Sequence, residues 1–420
     1  MRTVFCKQFG EPYNEFSRVI ETSDGSIVAV GGGSKGIIVK LDSQGELVFT
    51  RSTGKVAQYN DVLIDVSGAI VAVGGGTISS GNSTITKLTS TGDVVFDKAF
   101  GSGTGGYFNR VVEDTNSGGY VAAGTDGSRP ARARVAGFTS TGNLTFDRTF
   151  GTSVEFFDVT YGRSGAIVAV GGTNGTFEGQ ATIAILNRVG TVAFSQSQGA
   201  AAGWYRAVNF KSDILTFGGG AEVSDASPRL TRFLDDGTVV FDQQLATAPG
   251  TVVSVIETSK GDFGVVTDLR GRSSLVRVEA NGKVSVDKQF DGSLYAVAAS
   301  REGTLSAAGA STDGSGVAVT VDTNGKVQTF TADAPLGAAV ISSAGVLYAA
   351  TLDGSTLVGY RYDGVVTTIN TYSPDGLPTP SKKARLTNLT LTSDGAGAIA
   401  SAAAMGTFDG APWLYKVSFD

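Results

Sequence analysis

The chain has 420 residues, 41% hydrophobic and 17% charged, with 59 glycines, 9 prolines, no histidine and a formal net charge of −6. An apolar fraction this large, rich in Val, Ile and Phe, excludes a disordered chain, and the single Cys6 excludes an internal disulfide. No block of Lys and Arg supports broad-face nucleic-acid binding, and no stretch nears the eighteen apolar residues of a membrane span.

The first ten residues, MRTVFCKQFG, lack the apolar core and small-residue cleavage site of a signal peptide and read as a strand. From there the chain repeats. Each repeat opens on an apolar residue two positions before a variable one, as Phe16 precedes Arg18 in RVIETSDGSIVAVGGG. The same apolar position recurs at Tyr59, Phe108, Phe156, Trp204, Val252, Leu294, Leu336 and Leu386. The strand after the turn ends on a small residue: Gly31, Gly74, Gly124, Gly171, Gly219, Thr267, Gly309, Thr351 and Ser401. A hairpin follows, as in KLDSQGELVF at 40–49, with its glycine at Gly45, Gly92, Gly142, Gly190, Gly237, Gly282, Gly325 and Gly364. These glycines lie 39–50 residues apart. WD40 blades run about 40–45 residues and kelch blades about 50, so each repeat matches one propeller blade of four short strands.

The termini share one repeat. Residues 416–420, KVSFD, match a third strand that stops before its turn glycine, while Phe5 to Gly10 match the fourth strands Phe96 to Gly101 and Phe146 to Gly151. The expected fold is therefore all-β: one closed β-propeller spanning 1–420, with nine four-stranded blades. Residues 386–420 plus 1–10 would form the last blade, closing the ring and removing two exposed sheet edges.

The pattern F-G, apolar strand, D-G or G-G, apolar strand, G, loop, K-L-D-x-x-G, x-x-x-F resembles the repeats of bacterial β-propeller proteins of the surface or secreted type. Repeats one to five fit it well; six to nine are shorter and degenerate. The resemblance implies a fold and brings no catalytic residues.

Without histidine, Ser-His-Asp and Cys-His nucleophile systems and His-zinc sites are excluded. Asp24, Asp42, Asp236 and Asp394 sit in turn motifs, where Asp is ordinary. Gly31–Gly33 and Gly74–Gly76 lack the lysine and helix of a phosphate loop. No cofactor or metal is expected. The first strands carry a charge column, Arg18, Asp61, Arg110, Asp158 and Arg206, followed by Ser254, Ala296, Ala338 and Asn388. It reads either as ion pairing between blades or as a polar channel mouth that holds a ligand or ion. Turns within strand pairs one-two and three-four are short, so the longer loops share the opposite face. Tyr107, Arg129, Arg132, Tyr205 and Tyr372 are the binding candidates there, since aromatics and Arg anchor interfaces. The stretch 370–385, with three prolines and Lys382-Lys383, is either a projection or a connector.

The expected function is a non-enzymatic binding or structural module, more narrowly a phage or virus particle component such as a tail-fibre, receptor-binding or capsid-decorating protein. Its partners would be other particle or surface proteins, or a cell-surface glycan or protein receptor, with no nucleic acid and no membrane insertion. The alternatives are a bacterial surface or secreted adhesin, and a carboxylate-dependent propeller glycosidase or lyase.

Overall fold

The hairpin is the building unit. In the computed structural model, Asp42 N–H donates to Glu46 O (2.9 Å) and Gly45 N–H to Asp42 O (3.0 Å), which leaves three residues in the loop. The last of them, Gly45, has φ +85°. A three-residue loop of this kind ends on a left-handed residue, which glycine supplies without a Cβ clash. Asp42 Oδ1 caps the same turn by accepting from the N–H groups of Gln44 and Glu46. Asp24 and Asp236 cap their turns likewise, as expected for turn aspartates; Asp394 lies outside the described residues.

The structure describes residues 2–8, 15–33, 35–53, 56–76, 81–101, 105–162, 164–173, 181–198, 204–210, 213–219, 228–245, 250–268, 271–300, 302–332, 338–341, 347–353, 356–362, 366–372, 384–391, 397–404 and 413–418. They are all-β, and the strands pair antiparallel with their sequence neighbours. The chain divides into two compact units, one of 29–40 and 48–251, the other of 1–28, 41–47 and 252–420.

In the first unit, Gln58–Ile64, Ile70–Gly75, Ser83–Leu88 and Val94–Phe100 pair in chain order. Tyr107–Asp114, Gly119–Thr125, Ala133–Phe138 and Leu144–Phe150 do the same, and so do Glu155–Tyr161, Ile167–Gly172, Ala181–Leu186 and Val192–Gln198. Trp204–Phe210, Asp213–Gly218, Arg229–Phe233 and Val239–Gln244 form one more set. First strands of successive sets lie side by side. Second strands such as Ile167–Gly172 are buried along their whole length. Covered on both faces, they read as continuous apolar runs rather than alternating ones.

The fourth strand is different, because only its phenylalanine is buried. Phe49, Phe96, Phe146 and Phe194 each seat on the turn glycine of the next repeat: Gly92, Gly142, Gly190 and Gly237. A Cβ on any of these glycines would overlap the ring. Phe49, Phe96 and Phe146 are buried and contribute about 1.5–3 kcal/mol each, while Phe194 is half-buried. Arg51 and Arg148, two residues beyond their Phe, donate from Nε to the carbonyls of Gly92 (2.8 Å) and Gly190 (3.0 Å). The recurrence of Gly and Phe at fixed spacing is thus an inter-repeat lock.

In the other unit, Phe263–Asp268 and Arg272–Val278 pair, and Val284–Ala299 runs unbroken through two sets. Its first half pairs with Arg272–Val278 and its second half with Leu305–Ser311. The last set joins the chain ends: Arg2–Gln8 pairs antiparallel with Trp413–Ser418, from Arg2 opposite Ser418 to Gln8 opposite Trp413. Ala384–Leu391 and Gly397–Ala404 complete it. The N-terminal segment is the fourth strand of the C-terminal set, as the register of the repeats implies.

Candidate functional site

The charge column rests on a bulge. In a regular strand Tyr59 and Asp61 would share a face, yet Tyr59 lies opposite Gly74 and Asp61 opposite the adjacent Val73. One extra residue, Asn60, turns Tyr59 into the core and Asp61 to the other side. The same shift occurs between Phe108 and Arg110 and between Phe156 and Asp158. The bulged residues clip neighbouring repeats: Asn60 Nδ2 donates to Phe108 O (2.8 Å) and Asn109 Nδ2 to Phe156 O (2.8 Å).

Arg110 bridges two buried carboxylates, with Nη1 3.1 Å from Asp61 Oδ1 and Nε 3.0 Å from Asp158 Oδ1. Asp61 Oδ2 also accepts from the N–H of Val111. Burial by itself would weaken the Arg110 charge, but the two carboxylates outweigh it and hold the guanidinium protonated. These are the contacts that pairing between repeats requires. Arg18 stands half-buried on Glu15–Glu21; the side chain of Arg206 lies outside the described residues.

The loop candidates scatter. Tyr107 opens its strand instead of lying in a loop, and its hydroxyl donates to the buried Glu155 of the next repeat. Burial first, then the Glu155 charge, pushes the Tyr107 hydroxyl well above its usual range. Arg129 and Arg132 are exposed on a loop organised by Asp126, which accepts from Arg132 Nε (2.9 Å), Arg132 N (3.0 Å) and Ser128 N (3.0 Å). The side chains of Tyr205 and Tyr372 lie outside the described residues, although both backbones are in strands.

A position that sequence reading passed over borders a cavity. The next-to-last residue of the third strand is a cation in several repeats, and it reaches a neighbouring turn. Lys40 Nζ donates to Ser90 O (3.0 Å), and buried Arg277 Nη2 donates to Gly303 O (2.6 Å). Lys87 Nζ lies 2.8 Å from Asp65 Oδ2 and 2.8 Å from the Tyr120 hydroxyl, which itself donates to Asp65 (2.7 Å). Burial by itself favours the protonated Asp65, but hydrogen bonds from Lys87, Ser67, Tyr120 and the Ala69 N–H overcome it and hold the carboxyl far below the usual range.

In the next repeat this slot is Gly137: Val71 pairs with Lys87, and the equivalent Val121 pairs with Gly137. The cation comes from elsewhere. Arg188, on the hairpin turn of the following repeat, places Nη1 2.9 Å from Asp114 Oδ1, the counterpart of Asp65. The Phe146 ring covers Gly137, where a Cβ would overlap it, and beside it a cavity of about 540 Å³ opens among the short turns. Tyr120, Phe138, Phe146 and Tyr161 supply its aromatic walls, and Asp114, Arg188, Asn116, Thr139 and Ser140 its polar edge. The Arg188 guanidinium lies 5.9 Å from the Tyr161 ring centre. Burial, then the Asp114 charge, keeps the Tyr161 hydroxyl protonated. The signal was present in the sequence: Gly137 breaks a column that reads Lys40, Lys87.

No protein-family model and no curated protein matches the chain. Among solved structures it is similar to the crystal structure of a eukaryotic initiation factor, at 11% identity and a TM-score of 0.53, over 87% of this chain and 89% of that one. The Pan2 WD40 domain of Neurospora crassa matches at 12% identity and TM-score 0.47, over 79% of this chain and 94% of that one. Virginiamycin B lyase from Staphylococcus aureus matches at 12% identity and TM-score 0.42, over 85% and 95%. Consecutive four-stranded antiparallel sets, joined first strand to first strand, are the construction of a blade array. The chain has a β-propeller-type fold.

Proposed function

We propose that the chain is one ring of nine blades, closed by residues 1–10, acting as a non-enzymatic binding or structural module. Pairing of Arg2–Gln8 with Trp413–Ser418 supports the closure. The narrower reading is a phage or virus particle component that contacts other particle proteins or a cell-surface receptor.

One observation carries the binding role. Just after the five hairpin glycines from Gly45 to Gly237, the outer strand exposes large apolar side chains: Val48, Val94, Val95, Leu144, Val192, Val239 and Val240 are each 40–54% exposed. One exposed valine is ordinary, but recurrence at the same place in consecutive repeats marks a surface kept for contact. The absence of histidine and the turn-capping roles of Asp24, Asp42 and Asp236 favour binding over turnover.

The test is mass spectrometry of purified particles from the strain that carries the gene, beside size-exclusion of the chain with Val94, Val95 and Val240 changed to Ser. Recovery in particles, with association lost in the triple variant, is expected. A chain found only as a free monomer overturns the particle reading. Turnover of a polysaccharide, abolished by one carboxylate substitution, overturns the non-enzyme reading.

A further inference from the structure

The Gly137 cavity has the makings of a ligand site rather than a packing defect. A packing defect in a repeat array is lined by the same residues as its filled neighbours, minus one. Here the neighbourhood has changed as well. Lys87 of the preceding repeat lies between Asp65 and Tyr120 with its side chain 12% exposed, and it closes the gap. At Gly137 the charge partner of Asp114 arrives from the next repeat, so the ion pair spans the rim instead of plugging the centre. Arg188 is 39% exposed and Asp114 14%, so the pair faces the opening.

The lining chemistry narrows the ligand. Asp114 and Arg188 neutralise each other, so the site offers no net charge to an anion or a cation. Both partners keep free hydrogen-bonding capacity, because a guanidinium has five N–H donors and a carboxylate about four acceptor positions. Asp114 Oδ1 accepts from Arg188 and from Asn116 N, and its Oδ2 from Ser117 Oγ. The Tyr161 hydroxyl, which both donates and accepts, makes no hydrogen bond to any described residue. Phe146 and Tyr161 add apolar ring surface at the wall. Paired donors and acceptors beside aromatic faces, with no net charge, match a neutral hexopyranose, whose hydroxyls do both and whose C–H faces stack on rings. The volume lies within the roughly 300–1,000 Å³ range of ligand pockets. The rim residue Val189 is 73% exposed, so a sugar inside a chain can reach the site without threading.

We propose that the cavity between the Asp114 turn, Gly137 and the Arg188 turn binds a neutral hexose unit of a polysaccharide. This deepens the binding reading above and rests on it, naming its ligand class.

The experiment is a printed array of neutral and acidic glycans probed with the full chain. Hits are followed by titration at 50 mM and 500 mM NaCl. Three variants are compared with the wild type: Ser140→Trp, which blocks the exposed rim; Tyr161→Phe, which removes one hydroxyl; and Arg188→Met, which removes the donor. Circular dichroism and thermal melting confirm that each folds. Binding to at least one neutral glycan is expected, changed less than twofold by salt, lost at least tenfold in Ser140→Trp and weakened several-fold in Tyr161→Phe. A neutral glycan that binds all three folded variants as tightly as the wild type overturns the site. Exclusive binding of acidic glycans that weakens with salt overturns the ligand class, since screening acts on net charge. An empty array, with the chain still recovered in particles, sinks this proposal and spares the binding reading. A neutral hit that the wild type hydrolyses keeps the site and sinks the non-enzyme reading.

Discussion

Two neighbouring repeats solve the same problem in different ways. Around Asp65 the third-strand lysine belongs to the same repeat, sits inside, and completes a closed triangle with Tyr120. Around Asp114 the third strand has Gly137, and the cation reaches in from a turn of the following repeat. The first arrangement is a buried, saturated network; the second is half-open and leaves a cavity. A repeat scaffold can therefore meet the same turn carboxylate with a cation from its own third strand or with one from the next repeat's turn, and here the second arrangement borders a cavity.

The comparison breaks most visibly at the two cations. Lys87→Met strands Asp65, which is 6% exposed, without its counter-charge. It should lose about 3–5 kcal/mol of unfolding free energy, as expected when one partner of a buried pair is removed. Arg188→Met at the exposed pair should lose about 0–1 kcal/mol. Urea titrations of the two variants check this, and equal losses would mean that the two networks are energetically alike.

The hairpin glycines sharpen the contrast between an inter-repeat lock and a free turn. Gly68 has φ +80° with nothing within 4 Å of a built Cβ, so Gly68→Ala meets backbone strain alone, about 1–2 kcal/mol. Gly190 has the same φ of +80° but carries the Phe146 ring on it. Gly190→Ala should cost a further 1–3 kcal/mol or so from overpacking. Thermal melts of the two alanine variants separate these contributions.

Acid gives the smallest effect and tests both aspartates. Hydrogen bonds and cations hold Asp65 and Asp114 below their ordinary value of 3.8. Their stabilisation is fully present above that value and is lost as pH falls through the lower folded values. Glu113, raised by burial, works the other way. Unfolding measured from pH 5 to pH 2 should show a shallower loss in Asp65→Asn than in the wild type; an unchanged slope would mean that Asp65 carries no acid-linked stability.

Much of the fold was readable because turns and cores impose local rules. A hairpin glycine at φ +92°, as at Gly92, is demanded by the loop itself, and the apolar runs at 27–30 and 167–170 announce doubly covered strands. The pairing of the chain ends was readable too, since the Phe5 segment repeats the Phe96 segment residue for residue at its anchors. Tyr107 misled because a residue outside the repeat columns still found a buried partner in Glu155, which no spacing rule connects to it.

The sequence by itself determined the period, the strand sets and the turn chemistry, because each depends on residues within a few positions of one another. Tertiary structure alone decided what the repeats do to each other. Phe146 gains its role only when Gly190 of the next repeat lies beneath it, and Tyr59 and Asp61 face opposite sides only because Asn60 bulges. The cavity beside Gly137 is walled by residues of two repeats, with Arg188 of one paired to Asp114 of the other. A glycine in a cation column is visible in a sequence; that the Phe146 ring covers it, and that Arg188 reaches Asp114 from 74 positions away, depends on tertiary contacts.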